Sequence, residues 1–133
     1  MILLNPEFLI SVGVATFIAI VFLQSGLDKA MDFSGNRAYL TELFTGSPLS
    51  GPVVPLLLCI TAFEIGAGLL SALGVLAIFF AGSTTLAYWG AILSAISLLM
   101  VLFGQRLAKA YADAAVIAPY FMVSCLGIYL LGS

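Results

Sequence analysis

Four long apolar runs separated by short polar stretches make up nearly all of this sequence, and they predict its elements directly. The runs cover residues of about 5–27, 52–80, 84–103 and 114–131. Crossing a hydrocarbon core takes about 20 apolar residues, so the chain has room for four crossings and not six. The expected fold is all-α: one domain over residues 1–133, an antiparallel bundle of four transmembrane helices. A backbone exposed to lipid must satisfy its own hydrogen bonds, which leaves few alternatives.

Local signals refine these elements. Asn5-Pro6-Glu7 is a good start for helix one, with Asn as N-cap, Pro at the first helical position and Glu beside the positive helix end. Ser11, Ala15 and Ala19 recur every four residues and form a seam that lets another helix approach closely. From Asp28 to Pro55 the pattern weakens, with turn signals at Gly35-Asn36, Gly46-Ser47-Pro48 and Ser50-Gly51-Pro52. Between them, Ala38 to Phe44 is expected to form a short amphipathic segment on the membrane surface, where Tyr39 and Phe44 suit the interfacial zone.

Helix two, from Pro52 to Phe80, would be about 42 Å long, which predicts a tilt or a break. Gly66, Gly68 and Gly74 allow a bend near the middle. Ala62-Gly66 and Gly68-Ala72 are further small pairs. Gly82-Ser83-Thr84-Thr85 marks the next turn. Helix three then carries a small face of Ala87, Ala91, Ser94 and Ala95, with Tyr88 and Trp89 at its rim. A second polar stretch, Gly104 to Asp113, precedes helix four, which holds Pro119 and Tyr120.

Composition agrees with the pattern. The chain is 63% hydrophobic and 8% charged, whereas soluble domains carry about 25% charged residues. The net charge of −2 comes with no basic patch, so nucleic acid is not an expected partner. Histidine is absent, which removes bis-His haem and the commonest copper and zinc sites. Cys59 and Cys125 stand alone and read as small apolar side chains within helices. No Lys or Arg precedes the first apolar run, so no cleavable signal is expected. Lys29, Arg37, Arg106 and Lys109 all fall in the first and third connections. The positive-inside tendency therefore puts those connections in the cytoplasm and both termini outside.

The few polar groups are concentrated. Gln24, Ser25, Asp28, Lys29 and Asp32 crowd the end of helix one, where Gln24 shares a stripe with Asp28 and Ser25 with Lys29. Lys29 is long enough to snorkel to the interface. Asp28 is too short and is expected to need a donor from elsewhere, with Arg106 the best placed. Glu64, twelve residues past Pro52, lies about 18 Å along helix two. A carboxylate at that depth costs roughly 3 kcal/mol, so it should face the bundle and take either a cation or a proton. Tyr120 is placed to bring a hydroxyl to the same region, and Pro119 to free a carbonyl one turn earlier. The expected ligand-facing cluster is Gln24, Asp28, Lys29, Glu64, Arg106 and Tyr120, with no metal site. The bland alternatives are an interfacial salt bridge, cations at a helix C-terminus and an interfacial tyrosine.

FLQSGLDKAMDFSGN (Phe22–Asn36), FEIGAGLLSALG (Phe63–Gly74) and GQRLAKAYADAA (Gly104–Ala115) together resemble the DoxX family of small bacterial membrane proteins, over essentially the whole chain. The first two are similar to that family's helix-one G-x-x-K ending and its acidic residue in helix two. The resemblance implies four helices, the bacterial inner membrane and association with redox machinery. It points to an accessory subunit of a respiratory or redox complex that works with other membrane subunits or as a homo-oligomer. A quinone is the candidate ligand, with no metal or haem of the chain's own and no catalysis alone. Two other readings stand beside it. One is a small proton-coupled carrier using Glu64; the other is a packing subunit of a larger complex.

Overall fold

The computed structural model of the chain describes residues 5–46, 53–107, 109 and 111–132. It contains α1 (Pro6–Met31), α2 (Phe33–Leu43), α3 (Val53–Ala81), α4 (Thr85–Leu107) and α5 (Tyr111–Leu131), and no strand among the described residues. Helices α1, α3 and α4 and the Ala114–Leu131 part of α5 are long and apolar enough to cross a membrane. The protein is a multi-pass helical membrane protein.

The ends of α1 follow from its sequence, with one correction. Asn5 Oδ1 accepts from the Glu7 N–H at 2.9 Å, and Pro6 opens the helix as expected. The helix does not stop at Leu27 but continues to Met31, carrying Asp28 and Lys29 within its last two turns. A lysine beside the negative end of the helix dipole favours this extension. The second polar stretch is likewise mostly helical, since α4 runs to Leu107 and α5 starts at Tyr111. Lys109, with φ of 61°, lies in the short turn between them, where its N–H bonds the Arg106 carbonyl at 3.1 Å. The short helix expected over Ala38 to Phe44 begins earlier and is longer, as α2. The expected turn signals at 47–52 and the Pro52 start of helix two lie outside the described residues.

Burial does not sort by hydrophobicity as it does in a water-soluble bundle. Phe80, Met31, Tyr129 and Met122 are exposed, while Ser71, Ser94, Ser97 and Ser124 are buried. Lipid tails give large apolar side chains no reason to turn inward, so packing falls to small residues that let backbones meet. Ser11, Ala15 and Ala19 of α1 are all buried, as are Ala87, Ala91, Ser94 and Ala95 of α4. Both expected seams are thus interfaces. Ala62 is exposed, so the Ala62-Gly66 pair is not one.

Of the tilt or break expected in the second span, the break is absent: α3 is a single helix of 29 residues. Its glycines serve contact instead. A Cβ on Gly74 would sit 2.5 Å from the Ala87 nitrogen, and one on Gly68 would sit 2.7 Å from the Leu23 nitrogen. Helix α3 therefore packs backbone to backbone on α4 and on α1, and α4 in turn packs on α5. The Ser94 and Ser124 hydroxyls join α4 to α5 at 2.8 Å. At one end of the bundle Phe8 meets Phe79 edge to face at 5.7 Å, and Thr84 Oγ1 donates to the Leu131 carbonyl at 2.8 Å. The other end holds a cavity.

Candidate functional site

The C-terminal halves of α1 and α4 and the N-terminal halves of α3 and α5 splay around a cavity of about 470 Å³, with α2 along its rim. Most of its wall is aliphatic or aromatic, including Phe22, Leu57 and Leu98. Among the described residues, the charged side chains of its wall are Lys29 and Glu64. Lys29 Nζ donates to Glu64 Oε2 at 3.1 Å and to Ser25 Oγ at 2.8 Å. Ser25 and Lys29 lie one turn apart on α1, so the hydroxyl steadies the ammonium from its own helix.

The partner of Glu64 is thus Lys29, a pairing the sequence reading did not anticipate. Along the chain, Lys29 is free to snorkel to the interface, and Glu64 needs either a cation or a proton. The reason lies in depth. Glu64 is about 16 Å along α3 from Val53, but helix starts do not share one level. Gly26 lies against Ile65 and Leu23 against Gly68, which sets Glu64 level with the last turn of α1. The earlier turns of α3 are flanked by α2. Only 5% of the Glu64 side chain is exposed against 22% for Lys29. The carboxylate is enclosed, and the ammonium reaches in from the rim.

Of the expected cluster, Lys29, Glu64 and Tyr120 come together at the cavity. Tyr120 is half-buried, and its ring rests against Phe17 of α1 with centroids 6.0 Å apart. Gln24, Asp28 and Arg106 are exposed and do not line it. Asp28 and Arg106 form no ion pair with each other, because the charge on α1 that turns inward is Lys29, one residue and about 100° further round the helix. Pro119 is exposed and α5 runs through it.

Two neutral residues escaped the sequence reading. Asn36 of α2 lines the cavity while its Nδ2 donates to the Asp32 carbonyl at 2.9 Å. Gln105 of α4 lines it too, and its Oε1 is buried without a hydrogen-bond partner. Gln105 sits beside the more conspicuous Arg106, and Asn36 reads as a turn residue beside Gly35, so neither stood out. Among the described residues, no group of three or more Cys, Asp or Glu is placed to hold a metal ion.

An apolar hollow of this size with a few polar groups on one wall is what a small amphipathic molecule requires, such sites spanning about 300–1,000 Å³. Comparison of the chain with protein-family models, with curated proteins and with solved structures gave no match.

Proposed function

We propose that this chain is a DoxX-like accessory subunit of a quinone-linked membrane redox complex, and that its cavity forms a quinone-facing pocket within that complex. The observation that carries this reading is the cavity itself, with an apolar wall and one ion pair at its polar side. A quinone is an uncharged ring with two carbonyl acceptors on an apolar tail. Lys29 has a third N–H beyond the two already engaged, and Tyr120 has a hydroxyl; these would hold the ring. Phe22, Leu57 and Leu98 would lie along the tail. The chain supplies binding and exclusion of water, while electrons move through the quinone or a partner subunit.

We also read the four spans as antiparallel, in a bacterial inner membrane, with the connections after α1 and α4 in the cytoplasm and both termini outside. The meeting of α1 and α4 C-terminal halves with α3 and α5 N-terminal halves at one cavity supports the alternation. Lys29, Arg37, Arg106 and Lys109 support the orientation. The proton-carrier reading is the weaker one, because the carboxylate it needs as a relay is held by Lys29.

The test is purification in a mild detergent followed by identification of co-purifying proteins and extractable quinone. Dehydrogenase or oxidase subunits are expected, with quinone in the extract. Recovery of the chain alone, monodisperse and quinone-free, defeats the proposal.

A further inference from the structure

A lysine near a membrane surface ordinarily recruits the anionic head groups that surround it, and here that capacity is already used. We infer that Glu64 is a specificity residue: by occupying Lys29 it closes the cavity to anionic amphiphiles and reserves it for uncharged ones. This rests on the cavity being a binding site, but not on its ligand being a quinone.

Three observations carry it. Among the described residues of the wall, the charges of Lys29 and Glu64 cancel, and every other polar side chain is neutral. The ammonium is engaged from two sides, by Glu64 at 3.1 Å and Ser25 at 2.8 Å. The carboxylate is the more enclosed partner of the pair, so it cannot swing out to solvent and yield the lysine to an incoming phosphate. A phosphate or carboxylate head entering here would meet Glu64 as a like charge and no spare cation on the cavity wall. Gln105 adds a buried carbonyl oxygen, another negative dipole end and no counter-charge. An amine head would be opposed by Lys29 in the same way. An uncharged head that takes hydrogen bonds, whether or not it also gives them, meets neither obstacle. Two sources share that chemistry: a quinone or hydroquinone, and a neutral glyceride.

The experiment is a binding assay on the full-length protein in nanodiscs, with probes of one tail length: a decyl quinone, monodecanoylglycerol and decyl phosphate. At least one neutral probe is expected to bind about tenfold or more tighter than decyl phosphate, the scale that like-charge contact imposes. Glu64→Gln is expected to raise decyl phosphate affinity by about tenfold, and adding Lys29→Met to remove that gain. The wild-type comparison needs no variant and stands if either variant fails to fold. Equal or tighter binding of decyl phosphate to the wild type overturns the inference, as does a Glu64→Gln protein that folds without gaining anion affinity. Quinone binding without charge discrimination sinks the inference and leaves the quinone proposal standing. Glyceride binding with discrimination, but no quinone binding, does the reverse. No binding by any probe sinks both.

Discussion

Lys29 and Glu64 are the two residues on which the cavity's polarity depends, and their unequal burial makes them unequal under mutation. Replacing Lys29 by Met leaves Glu64, with 5% of its side chain exposed, enclosed without its cation. Losing one partner of a buried pair costs about 3 kcal/mol or more. Glu64→Gln is milder, because Lys29 is partly exposed at the cavity rim, where water reaches its ammonium without the carboxylate. Its expected cost is about 1 kcal/mol, in the range of exposed pairs. Thermal unfolding of both variants in one detergent checks the order. A Glu64→Gln protein less stable than Lys29→Met would show that the pair is not held as described. Asp28 lies beside Lys29 on the chain yet is exposed, so Asp28→Asn is expected to leave stability unchanged within about 0.5 kcal/mol, as exposed substitutions usually do.

Between elements, contact is made by small residues, and the glycines separate into those that touch a neighbour and those that do not. Gly74 has the Ala87 backbone where a Cβ would go, whereas Gly13 has nothing within 4 Å. Gly74→Ala is expected to push α3 from α4 at a cost of about 1–3 kcal/mol, the range for overpacking. Gly13→Ala is expected to stabilise α1 by about 0.5–1 kcal/mol through helix propensity alone. Unfolding in the same detergent measures both, and a Gly74→Ala protein as stable as the parent would mean the two helices do not approach this closely. The Ser94–Ser124 hydrogen bond is a buried polar link between α4 and α5. A double-mutant cycle with alanine at each position is expected to give a coupling of about 0.6 kcal/mol, typical of hydrogen bonds between membrane helices. Ser94 would keep its bond to the Ala91 carbonyl in the Ser124→Ala protein, so no orphan group arises there.

Over the whole molecule, the polar groups collect at the end that holds α2, and the opposite end closes with Phe8 on Phe79 and Thr84 on Leu131. The proposed alternation of the spans puts α2 and the α3–α4 turn on opposite sides of the membrane. In a background with Cys59 and Cys125 replaced by serine, Thr41→Cys and Ser83→Cys are expected to react with an impermeant maleimide from opposite faces of sealed vesicles. Thr41 is expected to be reached from the cytoplasmic face. Labelling of both from one face would overturn the antiparallel arrangement, and reversed labelling only the orientation.

The membrane class, the four spans, the cap at Asn5 and the small faces of α1 and α4 were all legible along the chain. Each follows from local composition or from a period of about 3.6 residues, and neither needs to know what packs opposite. Where α1 ends was less legible, because charged residues near a helix C-terminus read as a stop although they favour the helix. What the chain could not reveal was relative level: the offset between α1 and α3 is fixed by Leu23 on Gly68 and Gly26 on Ile65. That offset pairs Glu64 with Lys29, while the faces that α1, α2 and α4 turn inward leave Asp28 and Arg106 outside and bring Asn36 and Gln105 to the cavity. Pairing of side chains on separate helices depends on how far one has slid along the other, a distance that only their packed surfaces determine.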